Sequence, residues 1–247
     1  KMDSSVIRNY YNRTYRPQNA VVAVTGNFDK EDMIRKLENV FGKWDSGGYA
    51  APDYLPATYV PTVLTIDKDV EQIHMCFTFK APKRDSKHRY SLAVLNTLFG
   101  GGMSSRLFQK IREEEGLVYT IYSYTSAYSD TGIMTVYACS SPQKAENVIN
   151  SVFKEIKRLK TEKIEDKLIE VTKEQIISNY IISSESTASR LSSNGGGMIL
   201  SGKVLPMEEI LEKMELVDYD AVKEAIDEIF IADNLSFSAV GNINNID

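Results

Sequence analysis

The sequence predicts an α+β fold: a mostly antiparallel, mixed sheet covered by helices. Two observations carry this. Strand-like runs come in pairs, 62–67 with 72–80 and 117–125 with 132–140, each too close for a helical crossover. Both pairs are therefore expected to run antiparallel, and a doubly wound parallel sheet does not fit. In the second of these runs Ile73, Met75, Phe77 and Phe79 alternate with His74, Cys76, Thr78 and Lys80. That alternation suits a sheet with unlike faces.

The elements follow in order. Residues 5–15 have a helical pattern, and Pro17 resets the chain for a strand at 20–26. A helix at 30–41 places Met33, Ile34, Leu37, Val40 and Phe41 on one apolar face and stops at Gly42. Residues 46–61 form a linker kept extended by Pro52, Pro56 and Pro61. After the first strand pair comes a helix at 86–98, N-capped by Asp85 or Ser86. A glycine loop, a helix near 104–114 and the second strand pair follow. The clearest helix is 143–160, where Ala145, Val148, Ile149, Val152, Phe153, Ile156 and Leu159 make a wide apolar stripe. Further helices fall at about 163–182, 185–200, 207–216 and 218–230, and the last strand at 234–240. Gly195-Gly196-Gly197 marks a break or a close packing point.

Composition narrows the function classes. The 247 residues, 43% hydrophobic, can bury one full core with room for part of another. With 29 basic and 34 acidic side chains the formal net charge is −5, and no basic patch stands out, which argues against nucleic acid. No apolar run approaches the roughly 18 residues of a membrane span. No signal peptide is visible, which favours a soluble, cytoplasmic chain. The opening Lys1-Met2-Asp3 reads as a fragment and leaves an upstream signal open. Cys76 and Cys139 lie in apolar strand-like runs and read as buried thiols rather than a disulfide.

Two segments echo each other. Asn19, Gly26 and Asn27 align with Asn234, Gly241 and Asn242 at a constant offset of 215, each copy an apolar strand entered by Asn and left by Gly-Asn. Any two buried strands with Asn-Gly turns look alike. If the echo is real, a module of about 215 residues occurs twice in the parent protein, and this chain holds the tail of the first copy and nearly all of the second.

Catalytic constellations are scarce. His74 and His88 form neither H-E-x-x-H nor H-x-x-E-H, so no helical zinc pair exists, and neither cysteine sits in C-x-x-C. His74 reads as a strand histidine and His88 as a solvated helix start. No G-x-S-x-G is present, and the glycine run fits no nucleotide-binding pattern. The informative stretch is Phe99-Gly100-Gly101-Gly102-Met103-Ser104-Ser105-Arg106-Leu107-Phe108, continuing to Arg112-Glu113-Glu114-Glu115-Gly116-Leu117-Val118-Tyr119. Three glycines before a helix let a foreign backbone approach. Arg112 and Tyr119, seven residues apart, could aim a cationic and a phenolic donor at one carbonyl. Taken alone, Arg112 is also one charge on a polar helix face and Tyr119 a sheet-packing ring.

This stretch resembles the signature of the inactive C-terminal module of the M16 zinc peptidases, the pitrilysin, insulin-degrading enzyme and mitochondrial processing peptidase family. Glu71-Gln72-Ile73-His74 resembles the strand before that helix, and Asn19–Gly26 and Asn234–Gly241 resemble the strands closing the two modules. The resemblance covers essentially the whole chain. It implies two α+β modules facing each other across a cavity. The N-terminal module would carry H-x-x-E-H, a distant glutamate and zinc; the other would lend the arginine and tyrosine that hold peptide substrate. Arg112 and Tyr119 match that pair, and Gly100, Gly101 and Gly102 match a substrate-contacting loop.

The expected domains are 1–45, the tail of the N-terminal module; 46–61, a linker; and 62–247, the C-terminal module. The expected partner is the N-terminal module, in the same chain or a separate subunit. An exposed inter-module face would favour self-association. No catalytic or metal-binding residue, and no cofactor, is expected in this chain; zinc belongs to the parent's other module. The alternatives are a non-catalytic subunit of a heteromeric peptidase and a structural paralogue with no proteolytic role.

Overall fold

A computed structural model describes residues 2–44, 47 and 54–243. Part of the linker expected at 46–61, namely 46 and 48–53, lies outside these. Among the described residues the α-helices are α1 (Ser4–Thr14), α2 (Lys30–Phe41), α3 (Arg89–Gly100), α4 (Ala145–Thr161), α5 (Asp166–Ser184), α6 (Thr187–Ser201), α7 (Met207–Glu215) and α8 (Tyr219–Ile229). The strands are β1 (Val63–Asp67), β2 (Ile73–Ala81), β3 (Thr120–Ala127), β4 (Gly132–Ser140) and β5 (Leu235–Gly241). The chain divides into two compact units: Lys1–Leu55 with Asn179–Met207, and Pro56–Ser178 with Glu208–Asp247.

The second unit is built on a five-stranded sheet in the order β1-β5-β2-β4-β3. The β3–β4 pair is antiparallel as expected. The other expected pair is not a pair, because β5 inserts between β1 and β2, parallel to β1 and antiparallel to β2. The five residues 68–72 are long enough to step over one strand at about 4.8 Å spacing. The insertion gives β5 hydrogen-bonding partners on both sides. Alternation places Ile73, Met75 and Phe77 on a fully buried face of β2, while His74 stays exposed on the other. Helices α3, α4 and α8 pack with the sheet on the buried side. Phe230, just past α8, sits edge-on to both Phe79 and Phe99, with ring centroids 5.1 and 5.4 Å away. Such pairs add to the area that they bury.

Helix α3 starts three residues later than the sequence implies. Its N-cap is His88, without a side-chain cap, while Ser86 Oγ accepts the His88 amide at 3.2 Å in the turn before it. His88 is not solvated: its side chain is 15% exposed, near the carboxylates of Glu224 and Glu228 on α8 at 3.9 and 3.8 Å. The glycines 195–197 lie inside α6 rather than at a break. A Cβ on Gly195 would stand 3.4 Å from that of Ala23, so the helix approaches residues 20–25 closely there.

The echo extends through the structure. Helix α1, a 3-10 turn at Pro17–Asn19 and the segment to Gly26 repeat as α8, a 3-10 turn at Ala232–Asn234 and β5, with both helices and both turns offset by 215 at each end. Asp3 and Asp218 cap the two helices: Asp3 Oδ1 accepts from the Val6 amide at 3.1 Å, and Asp218 Oδ1 from the equivalent Ala221 amide at 2.8 Å. Gly26 and Gly241 both have φ of +145°, a conformation that favours glycine. A chance likeness of two apolar strands does not reproduce caps and backbone angles.

The copies differ in what surrounds them. Val222, Ala225 and Ile226 are fully buried, whereas their counterparts Ile7, Tyr10 and Tyr11 are 59%, 56% and 54% exposed. The apolar face of α2 is likewise unburied, with Ile34, Val40 and Phe41 exposed. The strand expected at 20–26 forms no ladder among the described residues. An extended segment becomes a strand only when a neighbour takes its backbone N–H and C=O groups, and among the described residues none does so here. Amide hydrogen exchange checks the contrast. Amides of β5 are expected to exchange at least about 1,000-fold more slowly than those of 20–25, since central strands open at nearly the global unfolding free energy. Equal rates would mean that the first copy is already paired.

Candidate functional site

The three glycines of the loop have three different surroundings. Gly100 is the buried last residue of α3, where a Cβ would meet the Ser123 amide nitrogen at 2.5 Å. Gly101 caps the helix, and a Cβ there would meet Thr97 Cα at 2.6 Å. Gly102 faces open space, with nothing within 4 Å of an added Cβ. The first two glycines therefore dock α3 against β3 and against its own last turn. Ser123 completes the joint by donating to Asn96 Oδ1 at 2.9 Å.

The helix expected at 104–114 begins at Arg106 and widens into a π-helix over Phe108–Glu114. Its i→i+5 character shows in the Glu115 amide bonding Lys110 O at 3.0 Å. Such π segments are frequent at functional sites. Within this one the Arg112 guanidinium lies over the Phe108 ring, 4.7 Å from its centroid. A cation over a ring is stabilised by the ring's quadrupole, so Phe108 holds Arg112 in place without using its hydrogen-bond donors. The Arg112 side chain is 43% exposed, and the Glu113 carboxylate lies 4.0 Å from its Nε.

Gly116, at φ of +60°, ends the helix, and Lys144 Nζ donates to its carbonyl at 2.8 Å. Ser151 Oγ donates to Glu115 Oε2 at 2.6 Å, tying the helix end to α4. Arg158 on α4 donates to buried Glu155 and, just past the helix end, to exposed Glu162, each at 2.9 Å. The bonds from Glu162 and then Glu155 raise the Arg158 pKa and keep it charged.

Tyr119 opens the way into β3. Its amide donates to Cys139 O at 2.8 Å, and its ring is 58% exposed. No hydrogen bond engages its phenol among the described residues, and none joins it to Arg112. Both side chains present uncommitted donors at the two ends of one short segment, 112–119.

Sequence reading missed a second group, on the exposed face of the sheet. His74 Nδ1 lies 2.7 Å from Tyr137 Oη, and the Tyr137 ring is 5.0 Å from that of Tyr122. Burial first, and then the neighbouring Cys139, push the Tyr137 phenol above its ordinary pKa. Cys139 donates to Gln72 Oε1 at 2.9 Å. Burial likewise raises both thiols, Cys76 and Cys139, and both are free. The alternation that puts His74 on the polar face was visible in the sequence, but its partner 63 residues away was not. Among the described residues no group of three or more His, Cys, Asp or Glu is placed to hold a metal ion. The described residues do not fit a catalytic zinc.

The glycine geometry is directly testable. Gly100→Ala is expected to cost about 2–3 kcal/mol of unfolding free energy through overpacking against Ser123. Gly102→Ala is expected to stay within about 0.5 kcal/mol. Denaturant titration of both variants checks this, and equal effects would contradict the assignment.

Comparison with known proteins follows the same lines. The family model for the peptidase M16 inactive domain matches residues 1–176. A relative from Bacillus subtilis (strain 168), an "uncharacterized zinc protease", is 34% identical over 227 residues, covering 92% of this chain and 55% of the relative. Two crystal structures share the fold. A protease from Helicobacter pylori matches with TM-score 0.90 and 17% identity, over 98% of this chain and 59% of that one. A peptidase M16 inactive domain from Pseudomonas fluorescens matches with TM-score 0.85 and 19% identity, over 97% and 58%. The chain thus spans little more than half the length of the proteins it matches. On the extent of the family match, the chain belongs to the peptidase M16 family and carries its inactive domain.

Proposed function

We propose that this chain is the substrate-holding, non-catalytic C-terminal part of a two-module zinc metallopeptidase that hydrolyses peptides, with zinc carried by an N-terminal module. The observation that carries this reading is the pair Arg112 and Tyr119: two exposed side chains, one ordered over Phe108 and the other free at its phenol. Arg112 has guanidinium N–H donors and Tyr119 an O–H donor, which suit the carbonyl oxygens of an extended peptide. Holding a substrate carbonyl in fixed orientation is worth several kcal/mol to a reaction performed elsewhere. Gly102, which nothing crowds, leaves room for the peptide backbone.

The repeated helix–turn–strand supports the domain reading. In this reading residues 1–45 end a first module, and the exposed faces of α1 and α2 are covered by the rest of that module. The two counterparts of β5's neighbours would come from polypeptide outside these 247 residues. That polypeptide belongs either to the same chain or to a partner subunit. An H-x-x-E-H segment encoded upstream in the same reading frame supports one chain.

The test is kinetic. In the full-length enzyme, Tyr119→Phe is expected to lower kcat/KM more than tenfold, about 1.4 kcal/mol or more. The melting temperature should hardly move, because the phenol is exposed. Unchanged kinetics would leave the pair as surface residues, and a large fall in melting temperature would make Tyr119 structural.

A further inference from the structure

A cavity of about 500 Å³ opens at one end of the sheet, lined by Lys68, Val70, Glu71, Gln72, His74 and Val240. Its volume lies within the range of small-molecule sites. The end of the sheet is the one where Tyr119 stands. The Tyr119 amide bonds Cys139 O, Cys139 is opposite His74, and His74 is opposite Val240. Crossing from β3 over β4 to β2 takes two strand spacings, roughly 10 Å, and an extended peptide covers that in about three residues.

The chemistry of the lining is unbalanced. Gln72 has its Oε1 occupied by the Cys139 thiol at 2.9 Å, which leaves its amide N–H groups as the free donors. His74 Nδ1 is engaged by Tyr137 Oη at 2.7 Å, which leaves Nε2 as the other polar atom of the ring. Lys68 supplies an ammonium, and no ion pair engages either Lys68 or Glu71 among the described residues. Two donors, the Gln72 amide and the Lys68 ammonium, therefore stand with one acceptor, Glu71. A carboxylate accompanied by a neighbouring peptide N–H satisfies this set: the carboxylate takes the donors, and Glu71 takes the N–H.

We propose that this cavity is a second peptide subsite that binds a carboxylate, about three residues along the chain from the residue held at Tyr119. The proposal rests on the peptide-holding role given above. The carboxylate comes from an acidic side chain or from a peptide C-terminus, and the two are separable by experiment.

The experiment is fluorescence anisotropy with the 247-residue chain and labelled ten-residue peptides. One set carries a single glutamate walked along a neutral sequence; a second replaces it with glutamine; a third ends in the free acid or the amide. The expected result is about fivefold to tenfold tighter binding for the acidic peptide at one position, fading as salt rises. Lys68→Gln and Gln72→Leu should each erase that preference. A preference that depends on the terminal acid assigns the C-terminus, and one that depends on the glutamate position assigns a side chain. Tyr119→Phe should weaken acidic and neutral peptides alike. If it does so while Lys68→Gln changes nothing, the subsite is overturned and the peptide-holding role stands. If the carboxylate preference survives but Tyr119→Phe has no effect, the role at Tyr119 fails instead. No binding of any peptide up to ~1 mM, a free energy of only about 4 kcal/mol, overturns the subsite.

Discussion

The insertion of β5 between β1 and β2 is the constraint on which the rest of the larger unit depends. A central strand has no spare backbone donors or acceptors, so the last segment of the unit must find its place between the first two. That pairing pulls α8 over the sheet and brings Phe230 between Phe79 and Phe99. Without it β1 would have no neighbour among the described strands, since β1 pairs with β5. The unit is closed by a contact between residues about 170 positions apart in sequence (Val63 with Phe237), a long-range closure that is slow to form.

The same sheet sets the position of the candidate site. Gly100 lets the end of α3 touch Ser123 on β3, and the chain leaves that contact into the open Gly102 turn and the π-helix. The path returns to the sheet at Tyr119. Arg112 and Tyr119 are thus carried on one short excursion anchored at both ends. Its middle is tied to α4 through Ser151 and to the residue before that helix, Lys144. The wide helical turn and the Phe108 ring hold the arginine in place from below.

Much of this was legible in sequence because it is local. Helical periodicity located α4 within two residues at its start, and period-two alternation gave the buried face of β2. The motif from Phe99 to Tyr119 was legible as a family signature. What was not legible depends on distant partners. Nothing local in 62–67 and 72–80 tells that a strand 170 residues away will separate them. Residues 20–26 have the composition of a strand, but a strand is a pairing, and the described chain supplies no partner. The π-helix left no trace, since helical wheels assume 3.6 residues per turn. His88 looked solvated because its neighbours in sequence are charged, while the surface that shelters it belongs to α8.

The central claim is that Arg112 and Tyr119 hold peptide while the chemistry belongs to residues elsewhere. The most direct measurement is a nuclear magnetic resonance titration of the labelled chain with an extended peptide, observing the Arg112 Nε–H signal and the Tyr119 ring. Saturable shifts of both signals at the same peptide concentration are expected. Shifts confined to other residues, with these two unmoved at saturation, would contradict the account.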